Sequence, residues 1–165
     1  MSTLTKTLDL GCGDKPKNPF KRDQVYGVDI RPDLEGFVKS ADLAIQAIPF
    51  EDGFFDNVTA FDFIEHIPRV IYNPTRRFCF VELMNEIYRV LKPGGIFLSY
   101  TPAFPHGVAW RDPTHVNIIT EETFPCYFDD RNRWAAMYGF KGRFTVVKQN
   151  WAPNKVNLIT LLKKC

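Results

Sequence analysis

Little in this sequence points outside the cell or into a membrane. Only four cysteines, Cys12, Cys79, Cys126 and Cys165, are spread irregularly over 165 residues. They form neither a CxxC pair nor the Cys/His rhythm of a zinc site. A disulfide framework is therefore excluded, no metal ligand set is read, and reduced thiols in a cytoplasmic protein are the expectation. The N-terminal Met1-Ser2-Thr3-Leu4-Thr5-Lys6 lacks the apolar core of a signal peptide, and no apolar run is long enough to span a bilayer. An excess of either charge is lacking too. Lys and Arg total 21 against 19 for Asp and Glu, which removes the usual signature of a general binder of nucleic acid or anionic membrane. No internal repeat, low-complexity tract or linker interrupts the chain, so residues 1–165 are read as one domain.

What is present is a hydrophobic fraction of 45%, enough for a sizeable core. Thr7 to Leu10 and Gln24 to Ile30 read as short strands, and Asn57 to Phe61 and Ile96 to Tyr100 as buried ones. Between the last two, Phe80, Leu83, Met84, Ile87 and Leu91 recur at helical spacing on one face. Asn73-Pro74 reads as the cap and first position of that helix, and Lys92-Pro93-Gly94-Gly95 as its stop. A second helix is expected from Glu121 to about Asp129, opened by Thr120. Phe144 to Trp151 and Val156 to Leu162 read as an antiparallel hairpin across Ala152-Pro153-Asn154-Lys155.

The first strand runs into Gly11-Cys12-Gly13, where glycine allows backbone N–H groups to approach a ligand closely. Asp29 ends the next strand eighteen positions after Gly11, placed to accept hydrogen bonds from both hydroxyls of an adenosine ribose. Cys12 reads as a small buried space-filler, with no basic partner nearby in sequence to lower its pKa.

The segments LDLGCG, VYGVDI, ADLAIQAIPFEDGFFDNVTAFDFIEHI and EIYRVLKPGGIFLSYTP together resemble the class I S-adenosylmethionine-dependent methyltransferases, in order over roughly residues 7 to 102. The resemblance implies an α/β, three-layer Rossmann-like fold with a mostly parallel sheet and a C-terminal antiparallel hairpin. It implies S-adenosylmethionine as cofactor. Asp9, Gly11 and Gly13 would surround its methionine part, Asp29 with neighbouring Ile30 its ribose, and Asp42 and Leu43 its adenine. Phe61, Asp62 and His66 would line the methionine and sulfonium. Taken singly, Asp9 reads equally as a cap, Asp42 as a turn residue and His66 as a helix opener.

One departure stands out. Where the family carries a full helix after its glycine turn, Lys15-Pro16-Lys17-Asn18-Pro19 has two prolines, so the first helix is expected to be reduced or absent. A lysine such as Lys15 would then replace the helix N-terminus in holding the cofactor carboxylate.

The acceptor is expected beyond the carboxyl ends of the fourth and fifth strands, near Phe61 to His66 and Thr101 to Asn117. The second stretch holds His106, Trp110, Arg111, Asp112 and His115, and its Asp-Pro-Thr-His run resembles one in small methyltransferase-domain proteins, without naming a substrate. His115, Asp112 and His106 are the catalytic candidates. For a hydroxyl acceptor, His115 would take the proton while Asp112 fixes its tautomer; alternatively Asp112-Pro113-Thr114 is a turn and His115 pins the loop. The acceptor itself is unidentified, a small molecule or an exposed group on a larger substrate.

Nucleic-acid acceptors lack support. Asp62-Phe63-Ile64-Glu65 differs from the Pro-Pro run of amino-directed DNA methyltransferases, and Pro125-Cys126 comes too late for a cytosine-carbon nucleophile. Two rivals remain. A nicotinamide-dependent oxidoreductase shares the turn and acid, but Pro16 stands at its third glycine. A non-catalytic partner or regulatory subunit shares the whole fold, and its open face would suit a homodimer.

Overall fold

The fold is built on strands whose successive residues point to opposite faces, so that apolar side chains at alternate positions gather in one core. In the computed structural model, which describes residues 4–31 and 36–165, the strands are β1 (Lys6–Leu10), β2 (Gln24–Asp29), β3 (Val38–Ser40), β4 (Phe55–Phe61), β5 (Ile71–Tyr72), β6 (Arg76–Arg77), β7 (Leu91–Pro102), β8 (Phe144–Trp151) and β9 (Asn157–Lys164). Met1 to Thr3, part of the N-terminal stretch read above, lie outside the described residues. Seven strands form one sheet in the order β3-β2-β1-β4-β7-β9-β8. The first five run parallel, while β9 is antiparallel to both its neighbours. This is the mostly parallel sheet with a C-terminal hairpin that the sequence implies.

Cross-strand partners share a face, and the registers Leu8↔Val58, Val58↔Phe97 and Phe97↔Leu162 put four apolar side chains on the same side. All four are buried. Helix α1 (Cys79–Val90) covers that side with Phe80, Leu83, Met84 and Ile87, each fully buried aliphatic or aromatic chain contributing about 1.5–3 kcal/mol. Two short helices follow, α2 (Val108–Arg111) and α3 (Thr123–Tyr127). Phe124 of α3 meets Phe80 and Phe97, in each case with ring centroids 6.4 Å apart.

The opposite face carries Thr7, Asp9, Asn57 and Thr59, all buried. Coil between Gly11 and Asp23 covers them, held by a Lys17 N–H donated to Asp9 Oδ2 at 2.8 Å and an Arg22 bond to Asn57 Oδ1. No helix forms between β1 and β2, as the two prolines require. The third layer of the fold is thin here and polar. Among the described residues, no helix is long and apolar enough to cross a membrane.

Two helix boundaries differ from the sequence reading. Asn73-Pro74 does not open α1; it sits in the turn joining β5 to β6, and the helix begins at Cys79 with no side-chain cap. An Asn-Pro pair suits a tight turn as well as a helix start, and pairing of Ile71 with Arg77 decides it. The second helix shrinks from Glu121–Asp129 to the five residues of α3. Thr120 donates its N–H to Thr123 Oγ1 at 2.9 Å, which delays the first turn. The Lys92-Pro93-Gly94-Gly95 stop holds: pairing with β4 jumps from Phe55↔Leu91 to Asn57↔Ile96. A Cβ on Gly95 would lie 2.9 Å from the Lys92 carbonyl oxygen, so only glycine passes there.

Asp129 ties α3 to the hairpin by accepting the Val146 N–H at 2.8 Å and Arg131 Nε at 2.8 Å. Burial pushes its carboxyl up, but these bonds outweigh that and hold it below the usual carboxylate range. A depressed folded pKa gives stability that is full above the unfolded value, about 3.9, and is lost as pH falls through the folded value. Asp129→Asn is therefore expected to cost about 1–3 kcal/mol at neutral pH and to flatten the acid limb of a stability–pH profile measured by denaturant unfolding.

Candidate functional site

Strand order reverses between β1 and β4, and at such a point the connections leave in opposite directions and open a crevice at the strands' carboxyl ends. Gly11 (φ +65°) and Gly13 (φ +64°) follow β1 at this point, in backbone conformations that side chains resist. The Gly11 N–H donates to the Val28 carbonyl at 2.8 Å, fastening the turn to β2. A Cβ on Gly11 would stand 2.3 Å from Cδ2 of Phe63, so the bare Cα is what admits that ring.

Asp29 is brought to the turn as its spacing implies. Its Oδ2 accepts the Gly13 N–H at 2.8 Å, and its Oδ1 accepts Arg31 N at 3.1 Å and Arg31 Nε at 3.0 Å. Burial pushes the carboxyl up, yet the bonds from Arg31 and Gly13 prevail and hold it below its usual range. It is an ionised acceptor at neutral pH. Arg31 is half exposed, 52% against 12% for Asp29. Ile30 is exposed beside it.

Asp9 has a different position. It is 1% exposed, and its carboxylate takes the Lys17 N–H at 2.8 Å and the Thr59 hydroxyl at 2.6 Å. Burial raises its pKa against those bonds. Both oxygens are committed beneath the coil, which makes Asp9 the anchor of the turn's far side. Cys12 fills space as expected: its thiol donates to the Gly13 carbonyl at 3.1 Å. A Cβ on Gly27 would lie 2.4 Å from its sulfur, and burial pushes the thiol up to about 11.

Asp42 follows β3 and accepts the Ala44 N–H on Oδ1 at 3.0 Å, a local turn in which Leu43 is buried. At the end of β4, Phe61 packs against Tyr100 with centroids 5.6 Å apart. Asp62 adopts φ +48° and accepts Asn157 Nδ2 at 2.8 Å. The ammonium reaching this end is that of Lys17, 4.8 Å above the Phe61 ring; Lys15 is exposed and makes no hydrogen bond among those described.

The loop after β7 closes over a short 3-10 turn, Ile64–His66. Glu65 accepts the N–H groups of Val116 and Asn117 on its carbonyl, at 2.9 and 3.0 Å. This puts His66 against His115, ring centroids 4.8 Å apart. His115 is not oriented by Asp112. Its Nδ1 lies 3.3 Å from the Ala109 carbonyl, and its Nε2 is 4.0 Å from Asp112 Oδ2. Asp112 instead accepts the N–H and hydroxyl of Thr114, at 2.8 and 2.7 Å, which makes the turn of the alternative reading. His106 stands apart, accepting the Val108 N–H at 3.2 Å at the start of α2.

The profile of the methyltransferase domain family matches residues 8–99. The chain belongs to this family. Its members use S-adenosylmethionine as methyl donor. Among its relatives, squalene methyltransferase 1 of Botryococcus braunii is 31% identical over 138 residues, covering 72% of this chain and 33% of that one. The 24-methylenesterol C-methyltransferase 2 of Arabidopsis thaliana is 28% identical over 131 residues, covering 69% and 34%. The chain thus spans about a third of the length of these relatives. A solved S-adenosylmethionine-dependent methyltransferase of Archaeoglobus fulgidus shares the fold, with a TM-score of 0.60 and 16% identity over 98% of this chain and 86% of that one.

Four residues of this methyltransferase domain were not singled out by sequence. Arg31 and Lys17 are unremarkable surface cations until the turn is folded. Phe63 is distant from Gly11 in sequence. Glu65 looks like a solvated acid in Glu65-His66-Ile67, yet it is 1% exposed, its Oε2 accepts the Thr101 hydroxyl at 2.8 Å and burial pushes it up to about 7. Two clefts flank α1: one of about 270 Å³ against Leu43–Ala47, another of about 480 Å³ against α3.

Proposed function

We propose that this chain, as a single domain in the cytoplasm, binds S-adenosylmethionine in the crevice over Gly11–Gly13 and transfers its methyl group to an acceptor at the rim made by Phe61–His66 and Thr101–Asn117. The observation that carries this reading is the glycine turn at the switch point, with the ionised Asp29 held on the Gly13 amide. The cofactor supplies a methyl group already activated by a sulfonium. The protein's own task is positioning, because in-line displacement needs near-attack geometry more than acid or base. Asp29 takes the ribose hydroxyls as Arg31 swings out, the turn of Asp42 and Leu43 faces the adenine, and Phe61 excludes water.

Lys17 takes the role read for Lys15. Its ammonium over Phe61 is placed to meet the carboxylate of the cofactor's methionine part, replacing the missing helix N-terminus. Lys17→Ala is expected to weaken binding of S-adenosylmethionine about tenfold, the worth of one charge-assisted hydrogen bond near 1.5 kcal/mol. Adenosine, which lacks the carboxylate, should bind the variant and wild type equally in a competition assay; equal losses for both would remove Lys17 from that role.

The relatives' names specify squalene and a methylenesterol, both apolar acceptors, and this rim exposes Phe104, Trp110 and Val116. A labelled-methyl transfer assay over pools of isoprenoid lipids, metabolites, saccharides, proteins and RNA tests the activity. Label transferred by wild type supports it. A chain that binds the cofactor yet labels nothing in a matched host extract would be a partner or regulatory subunit instead.

A further inference from the structure

We propose that Glu65, His66 and His115 bind one divalent transition-metal ion. One potential ligand atom from each lies within 4.8 Å of the other two. Ligands at about 2.0–2.2 Å around a tetrahedral ion stand roughly 3.4 Å apart, so the three close on an ion by small side-chain rotations. Two features say that this gathering is built for a cation rather than incidental.

The first is the state of Glu65. Its side chain is buried, its Oε2 is taken by Thr101, and its Oε1 has no hydrogen-bond partner. A buried carboxylate oxygen without a partner is costly, and a bound cation removes that cost. The second is the way both imidazoles are turned. Thr114 donates its hydroxyl to Asp112 Oδ1 at 2.7 Å, so its oxygen is left to accept from His66 Nδ1 at 3.0 Å. His115 Nδ1 faces the Ala109 carbonyl at 3.3 Å. With Nδ1–H engaged on each ring, each Nε2 carries a free lone pair. Outer hydrogen bonds of this kind orient metal-binding histidines and set their tautomer.

Bonds outside the three ligand side chains fix the scaffold. Asn117 donates Nδ2 to the Ile64 carbonyl at 3.0 Å, and the Val116 and Asn117 amides bond to the Glu65 carbonyl. These bonds clamp the loop to the 3-10 turn. Two nitrogens and one carboxylate suit zinc, manganese or ferrous ions better than calcium or magnesium, which prefer all-oxygen sets. Three protein ligands leave coordination positions open. With an acceptor that carries a hydroxyl, an ion here would polarise that group; this role rests on the methyl-transfer reading and on such an acceptor, whereas ion binding rests on neither.

The test uses the full chain, stripped with a chelator and desalted, then titrated with Zn²⁺ by calorimetry and with Co²⁺ by visible absorption. Expected are one ion per chain and cobalt ligand-field bands of a site with fewer than six ligands. His115→Ala should weaken uptake by well over tenfold. Thr114→Val, at an exposed position, should weaken it about tenfold with an unchanged unfolding midpoint, which separates the site from general damage. No uptake by wild type, or equal uptake by wild type and both variants, overturns the proposal. S-adenosylmethionine binding measured on the same stripped protein reports the cofactor reading separately.

Discussion

Asp29→Ala should lower the affinity for S-adenosylmethionine by about a hundredfold, the equivalent of about 2.7 kcal/mol. Two hydrogen bonds from ribose hydroxyls to a carboxylate contribute about 1.5–3 kcal/mol each. Releasing Arg31 from Oδ1, where it now donates at 3.0 Å, offsets part of that sum. Since Asp29 also holds the Gly13 amide, Asp29→Asn serves as the companion variant. It keeps an acceptor for Gly13 and loses the charge, so its affinity should fall between the other two. An Asp29→Ala chain that is folded by circular dichroism and binds as tightly as wild type would take the ribose site away from β2.

The largest loss of stability is expected from Phe124→Ala, about 3–5 kcal/mol. Phe124 is 0% exposed and lies against Phe80 of α1, Phe97 of β7 and Phe128, the last with ring centroids 6.1 Å apart. Three elements therefore meet on one ring, and truncation leaves a cavity that the backbone of α3 cannot close without breaking the Phe128 N–H bond to the Phe124 carbonyl. The denaturant midpoint should fall with the slope unchanged. A loss below about 1 kcal/mol would mean that the site collapses freely and that α3 is not fixed by this ring.

The sheet was legible because its signals are local. β1, β2, β4 and the paired part of β7 each contain a short apolar run, and β1 leads into Gly11 while β2 ends in Asp29. The face of α1 follows from Phe80, Leu83, Met84 and Ile87 at helical spacing. The thinned second face was legible from Pro16 and Pro19. What escaped depends on partners far along the chain. β3 exists as a strand only by lying beside Gly27 to Asp29, and Asn73-Pro74 becomes a turn only because Ile71 finds Arg77.

The same division runs through the site. Asp29 could be found by counting from Gly11, whereas the free Oε1 of Glu65 required knowing that Thr101 and the 112–117 loop bury it. His115 was identified as a residue of interest, but the partner of its Nδ1 is the Ala109 carbonyl. A backbone oxygen leaves no trace in residue identity. Which lysine reaches the end of β4, Lys17 rather than Lys15, likewise depends on the path of the coil held by Asp9.

The glycine turn and Asp29 are shared in outline by sites for a methyl donor and for a dinucleotide, so discrimination between ligands is the decisive quantity. Calorimetry of the wild-type chain with S-adenosylmethionine, its demethylated product S-adenosylhomocysteine and NAD provides it. One site that takes the first two and leaves NAD unbound is the expected result; binding of NAD alone, or of none of the three, would contradict it.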